Sequence, residues 1–270
     1  MMPLEKMIEN LGFKEAWREV TKALSIGIER AFQDSQTLMC IQPHIDDTDV
    51  AAGGTIAKLV EEGKKIIYVT MTDGRLGTSD PELWPEKLAA IRRKEQEKAA
   101  EILGVSELVW LNYRDGELTP SLKAREELIH LIRKYRPDMI ITVDPWLTYE
   151  AHPDHVATGL LASQAALFAS FPHVAPGDLR DNLKPHQVKF IAYYWTRRPN
   201  TYIDITGYIE KKLEAVKAHE SQFKSTWLQF EQLLKAYSRL MGKKIDVKYA
   251  EAFKVLKPIH LHSNIFSEDI

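Results

Sequence analysis

Three imidazoles and three carboxylates stand on two short segments of this chain, Pro43-His44-Ile45-Asp46-Asp47 and, a hundred-odd residues later, His152-Pro153-Asp154-His155. They are the inventory of a hydrolytic zinc site: imidazole nitrogens and carboxylate oxygens hold the ion, and a spare carboxylate moves a proton. A lone His-x-x-Asp is commonplace and usually marks a helix cap or a surface pair. Here each cluster follows an apolar run with the length of a buried strand, Thr37 to Ile41 before the first and Met139 to Val143 before the second. Each precedes a helical stretch, beginning near Gly53-Gly54-Thr55 and running from Val156 to Ala169. Ligands bind at the carboxyl edge of open parallel sheets, and surface polar residues have no reason to fall there twice. The pair of clusters predicts a metal site.

The elements that must position them follow from the rest of the pattern. After a helical N-terminal segment, about Glu15 to Gln33, strands and helices alternate. The order is strand Thr37 to Gln42, helix Gly54 to Glu62, strand Lys65 to Thr72, helix Lys87 to Leu103, strand Leu108 to Leu111, helix Ser121 to Tyr135, strand Met139 to Val143 and helix His155 to Ala169. Gly104 supplies a C-cap signal. The βαβα rhythm predicts an α/β fold, a Rossmann-like three-layer sandwich with a mostly parallel sheet covered on both faces. Prolines and glycine break the pattern from Ser170 to His186. Strands Val188 to Trp195 and Tyr202 to Ile205 follow, then helices Tyr208 to Gln222 and Thr226 to Met241, and an irregular tail, Phe253 to Phe266. The expected organisation is one domain over 1–270: a helical N-terminus (1–36), an α/β core (37–205) and a C-terminal helical and irregular extension (206–270). The loop Asp73 to Pro85 is long enough to form a functional rim.

Composition excludes several classes. With 270 residues, 44% hydrophobic and 27% charged, the chain can bury a sizeable core, and a formal charge of -2 argues against a nucleic-acid or anionic-membrane surface. The most basic stretch, Lys123 to Arg136, is interrupted by Glu126 and Glu127 and is expected to be a solvated helix face. The single cysteine, Cys40, lies inside the first strand, so no intrachain disulfide forms and a reducing cytoplasm fits. Met1 to Glu9 lacks the apolar core of a signal peptide, and no run reaches the roughly 20 apolar residues of a membrane span. Gly53-Gly54 matches neither the dinucleotide fingerprint nor the P-loop, and close packing of a helix explains it.

The motifs resemble those of the LmbE-like, or PIG-L, family of zinc-dependent N-acetylglucosaminyl deacetylases. The family's Pro-His-Pro-Asp-Asp and Gly-Gly-Thr stand here as Pro43 to Asp47 and Gly53 to Thr55, and its Ala-His-Pro-Asp-His is unchanged as Ala151 to His155. An Arg-x-x-Glu helix, Arg92 to Glu95, and a late His-x-Ser-Gln, His219 to Gln222, also match. Asp144-Pro145-Trp146-Leu147, Tyr149-Glu150-Ala151-His152 and Lys184-Pro185-His186 are similar to the archaeal diacetylchitobiose deacetylase branch, which serves chitin degradation. Two positions depart: Ile45 replaces the family proline, which would stiffen the loop, and Asp49 stands near where many members carry glutamate.

The resemblance implies a role for each residue. His44, Asp47 and His155 bind Zn²⁺ and leave an open position for water and the substrate oxygen; Asp46 is the general base. His152 is the electrophile that donates to the oxyanion, with Asp154 orienting it. Either Asp46 or His152 protonates the departing amine. Arg92 and Asp115 contact sugar hydroxyls, although local pattern alone reads Arg92 as a surface arginine and Asp115 as a turn residue. Trp146 and Tyr149 are candidates to stack on a pyranose. His219 buttresses the metal pocket, and His260 and His262 are candidates to reach a neighbouring subunit's pocket in a homo-oligomer, a trimer or hexamer. The expected substrate is an amino sugar, diacetylchitobiose or free N-acetylglucosamine. The competing expectations are an inositol or thiol-precursor conjugate of N-acetylglucosamine, and a non-catalytic metal- or sugar-binding module.

Overall fold

The computed structural model describes residues 4–9 and 11–270; residues 1–3, part of the N-terminal stretch read above as no signal peptide, lie outside them. Seven strands, β1 (Thr37–Gln42), β2 (Lys65–Thr72), β3 (Glu107–Tyr113), β4 (Met139–Val143), β5 (Phe190–Tyr194), β6 (Thr201–Asp204) and β7 (Ala250–Leu256), form one sheet in the order β3-β2-β1-β4-β5-β7-β6. β1 to β5 are mutually parallel, with Ile41 paired to Val69 on one side and to Thr142 on the other. The helices are α1 (Leu4–Ile8), α2 (Phe13–Leu24), α3 (Ala31–Asp34), α4 (Asp47–Glu61), α5 (Pro85–Leu103), α6 (Leu122–Tyr135), α7 (Pro153–Phe168), α8 (Gly177–Arg180), α9 (Ile209–Lys217), α10 (Glu220–Phe223) and α11 (Trp227–Gly242). α4, α5 and α9 pack together in one helical layer, and α6 packs on α7 in another. Strand order reverses between β1 and β4, the switch point where doubly wound sheets bind ligands. The loops that leave these two strands carry the two His/Asp clusters. No helix of the described residues is long and apolar enough to cross a membrane.

The helix after β1 begins at Asp47, seven residues before the expected Gly54, so the first cluster caps it instead of preceding it. Gly54 is required by close approach, since a Cβ there would lie 2.7 Å from Cδ1 of Ile205. The Gly54 and Thr55 backbone N–H groups both donate to the Glu251 carboxylate, at 3.1 and 2.7 Å.

That carboxylate explains the largest departure from expectation. The tail expected to be irregular from Phe253 contributes β7, a strand buried along its whole length and antiparallel to both β5 and β6. Glu251 and Lys254 interrupt its apolar pattern, yet both are buried with partners: Glu251 meets Lys212 at 2.5 Å, and Lys254 donates to the carbonyls of Glu268 and Ile270. Charged residues are almost never buried unless paired, and pairing of this kind is invisible in one dimension.

The basic stretch on α6 corrects a second expectation. Arg133 is only 2% exposed and donates to the carbonyls of Ala169, Phe171, Val174 and Ala175 and to Asp178. It is the anchor of the proline-rich loop and not part of a solvated face. The helix expected over Tyr208 to Gln222 breaks at His219, where the backbone leaves the helical region and α9 gives way to α10. The N-terminal helix likewise breaks after Leu24, where Gly27 adopts φ 85° ahead of a 3₁₀ turn at Ile28–Arg30.

Candidate metal centre and its pocket

Asp46 precedes the first turn of α4 with φ 145°, a backbone that L-residues rarely adopt and that costs on the order of 1–3 kcal/mol. The twist separates two adjacent carboxylates. Asp47 turns back to accept the His44 backbone N–H at 2.8 Å, while Asp46 meets the Arg92 guanidinium at 3.2 Å. Across the switch point, His152 is the N-cap of α7 and Pro153 occupies its first turn, which suits the missing N–H of proline. The helix then presents His155 beside Asp47.

His44, Asp47 and His155 each offer a ligand atom, all within 4.8 Å of one another. His44 Nδ1 lies 3.3 Å from the Asp47 carboxylate and His155 Nε2 lies 3.6 Å from it. Tetrahedral zinc with N and O ligands at about 2.0–2.2 Å sets ligand atoms roughly 3.3–3.6 Å apart, so this donor set fits the ion. The far nitrogen of each imidazole is held by an acid: His44 Nε2 by Asp154 at 3.2 Å and Asp115 at 3.3 Å, His155 Nδ1 by Glu150 at 3.1 Å. Carboxylates in that position fix ring orientation and raise ligand basicity.

A second donor cluster, His44, Asp115, His152 and Asp154, overlaps the first. Its carboxylates are committed elsewhere, however. Asp154 accepts from the Gly116 and Leu118 N–H groups at 2.7 and 3.0 Å, and Asp115 accepts from Leu76 N–H at 3.0 Å. These acids orient His44. Asp154, expected to orient His152, instead turns its carboxylate to His44, Gly116 and Leu118, and only its backbone N–H reaches His152, donating to Nδ1 at 3.3 Å.

The family model for GlcNAc-PI de-N-acetylase (PIG-L) matches residues 39–166, the span that holds both clusters. A diacetylchitobiose deacetylase of Thermococcus kodakarensis is 39% identical over 251 residues, covering 93% of this chain and 94% of its own. The chain belongs to the PIG-L family. The structure of N,N'-diacetylchitobiose deacetylase from Pyrococcus horikoshii, complexed with its inhibitor MPG, is similar with a TM-score of 0.91 at 41% identity, covering 97% of this chain and 100% of that one. A probable N-acetyl-alpha-D-glucosaminyl L-malate deacetylase 2 of Bacillus anthracis is 31% identical over 201 residues, 71% of this chain and 83% of its own. This PIG-L protein is an amide hydrolase of the deacetylase kind.

In the PIG-L chain the charges around the donor set are strongly biased. Burial opposes a charge on His44, but Asp115, Asp154 and Asp47 together push its pKa well up. Burial would raise Asp47, yet hydrogen bonds and charge from His44, with His155 nearby, hold it well below the usual carboxylate range. Asp115 is held at about 2 by His44 against the same burial penalty. Asp46 goes the other way: burial and the adjacent Asp47 raise it, outweighing the pull of Arg92. Burial and the nearby His44 and His155 lower His152.

The expected sugar contacts sort into two groups. Asp115 and Arg92 line a cavity of about 240 Å³ with His44, Asp46, His152, Leu76, Gly77 and Gln222. Arg92 is not the surface arginine its neighbours suggested: it is 3% exposed and donates to the carbonyls of Gly74 and Ile45 at 2.9 Å each. Trp146 instead borders a separate cavity with Tyr193 and His260, and Tyr149 is 99% exposed with φ 73°, so neither lines the cavity around His44. His260 is buried within its own chain, where its Nδ1 accepts the Lys257 N–H, so it is not free to reach a neighbour; His262 is exposed. The buttress expected of His219 takes the form of a 2.8 Å bond to Asp49, which also accepts from Tyr68 and Gln96. Its motif partners Ser221 and Gln222 bind Glu95 and the Gly77 carbonyl, closing α10 over the loop expected to form the rim.

Sequence reasoning missed Glu150 and Trp195. Trp195 stacks on the His155 ring at 5.6 Å and 16°, and nothing in its flanking residues marks it. Glu150 had a signal, because a ligating histidine needs an acceptor for its other N–H and Glu150 stands five residues before His155. Replacing Glu150 with Gln is expected to weaken metal affinity by roughly 10–100-fold with the fold intact. Competition against a chromogenic chelator measures it, and unchanged affinity removes Glu150 from the site.

Proposed function

We propose that the protein is a zinc-dependent deacetylase that removes the N-acetyl group from an N-acetylglucosamine unit, diacetylchitobiose or the free sugar, in cytoplasmic chitin degradation. One observation carries this reading: Asp46, a carboxylate outside the donor set, stands against the cavity beside His44, Asp47 and His155. A merely structural or sequestering metal site has no use for it. The relatives named as diacetylchitobiose deacetylases, alike over nearly the whole chain, support the substrate.

His44, Asp47 and His155 would hold the ion. When bound, zinc acidifies water and polarises the amide oxygen. The chain's own residues do the rest. Asp46, whose basicity burial raises, accepts the proton of the attacking water. His152 Nδ1 accepts a backbone N–H, so the neutral ring carries its proton on Nε2, ready to donate to the developing oxyanion. Its lowered pKa favours the neutral ring over the cation. Asp46, once protonated, or His152 returns a proton to the departing nitrogen. Asp115 and Arg92 frame the cavity for the sugar, Arg92 by holding its walls.

Exhaustive chelation is expected to abolish acetate release from diacetylchitobiose, and added zinc to restore it. Full activity after verified metal removal sinks the proposal, and acetate released instead from an inositol or malate conjugate changes the substrate within it. The proposal extends to a homo-oligomer, trimer or hexamer, in which exposed His262 reaches a neighbour's pocket. Light scattering at the mass of one chain removes that extension.

A further inference from the structure

Two cavities meet at Asp46. The cavity of about 240 Å³ described above carries the hydrogen-bonding groups and has room for a single pyranose. The other, about 610 Å³, is bordered by Asp46 and Asp47 and then by Val50, Leu147, Trp195, Phe223, Phe230, Leu233 and Tyr237. Among the described residues that line it, Asp46 and Asp47 supply the only charges; the rest are mostly aliphatic and aromatic.

This division is a statement about the scissile amide. The amide carbon must lie beside Asp46 and the donor set, with the sugar on one side of the C–N bond and the acyl group on the other. Sugar hydroxyls need hydrogen-bond partners, and burying such groups without them is unfavourable. They belong in the cavity with Asp115, His152 and Gln222. The acyl chain then points toward the apolar cavity, which is far larger than one methyl group.

Resting on the deacetylase reading above, we propose that the cleft lined by Trp195, Phe223, Phe230 and Leu233 is an acyl subsite that admits N-acyl chains longer than acetyl. The reaction is the same hydrolysis. The water oxygen bonds to the acyl carbon, the C–N bond breaks, the nitrogen takes a proton, and the sugar amine and the acyl carboxylate leave. Phe223 and Phe230 stack face to face, centroids 4.4 Å apart and 8° from parallel, and form a rigid apolar wall for the chain. Leu233, 62% exposed on α11, sits at the mouth.

The test is kcat/KM of the zinc-loaded protein for N-acetyl-, N-butanoyl- and N-hexanoylglucosamine, read by release of the free amine. The hexanoyl value is expected within about tenfold of the acetyl value, because added methylenes find apolar surface. A stepwise fall to a hundredfold or more, the behaviour of a methyl-sized pocket, overturns the proposal. Phe230→Ala and the surface change Leu233→Ser are each expected to lower the hexanoyl-to-acetyl ratio severalfold, the second without risk to folding. An unchanged ratio in both variants overturns the proposal, and a change in the mass of the assembly in Leu233→Ser with the ratio unchanged assigns the cleft to a second copy of the chain and overturns it too. Absence of amine release from every substrate, acetyl included, overturns the deacetylase reading itself, a result distinct from activity on acetyl alone.

Discussion

Asp46→Asn is expected to keep its metal and its fold and to lose turnover by roughly 10²–10⁴-fold, the range that a positioned proton acceptor supplies. The substitution is nearly isosteric and separates two properties that other changes would mix. Asn has nearly the size and shape of Asp, so the backbone at φ 145° and the first turn of α4 are expected to be kept. The donor set is untouched, because Asp47 and not Asp46 meets His44 and His155. What disappears is a carboxylate that burial has made a better base than an exposed one. Metal analysis together with single-turnover rates checks both halves. Activity within tenfold of the unsubstituted protein excludes Asp46 as the base, and loss of metal shows that it belongs to the donor set.

The contrast between Asp46 and Asp47 also shows how far the sequence alone reaches. The alternation of strands and helices is legible because parallel strands buried on both faces must be continuous apolar runs, as β1 and β4 are. The position of both clusters at the switch point follows from that alternation. β7 is not legible, because its burial depends on Lys212 and on the backbone carbonyls of Glu268 and Ile270, all contributed from elsewhere in the chain. Asp154 is misread for a related reason. Its neighbour in sequence is His152, but the start of α7 turns its carboxylate away toward His44, one hundred and ten residues distant. Sequence proximity gives the right inventory and the wrong pairing wherever a turn of helix intervenes. Arg92 fails in the same way: its neighbours on α5, Arg93 and Lys94, face solvent, while it points inward.

Arg92→Lys is expected to lower kcat by about 10²-fold with a small change in KM, and that split decides what the guanidinium does. An arginine that binds sugar hydroxyls directly would show mainly in KM when replaced, because such contacts are made in ground and transition state alike. The structure gives Arg92 a different occupation. One nitrogen holds the Gly74 carbonyl on the rim loop; another is shared between the Ile45 carbonyl and the Asp46 carboxylate. A planar fork can reach these points together, whereas the single ammonium of lysine cannot, although it keeps the charge. Asp46 would then lose the contact that aims it, and misplacement of about 1 Å can cost on the order of 10²-fold. The buried Ile45 side chain, where the family carries proline, makes this contact more consequential. Proline would fix its own φ and stiffen the loop through the main chain, and with isoleucine there the Arg92 bond to the Ile45 carbonyl holds the loop from outside. Ile45→Pro placed on Arg92→Lys should therefore recover part of kcat. Steady-state kinetics of the two single variants and the double variant measure the coupling, and independent, multiplicative effects would show that Arg92 acts on the substrate and not through the loop.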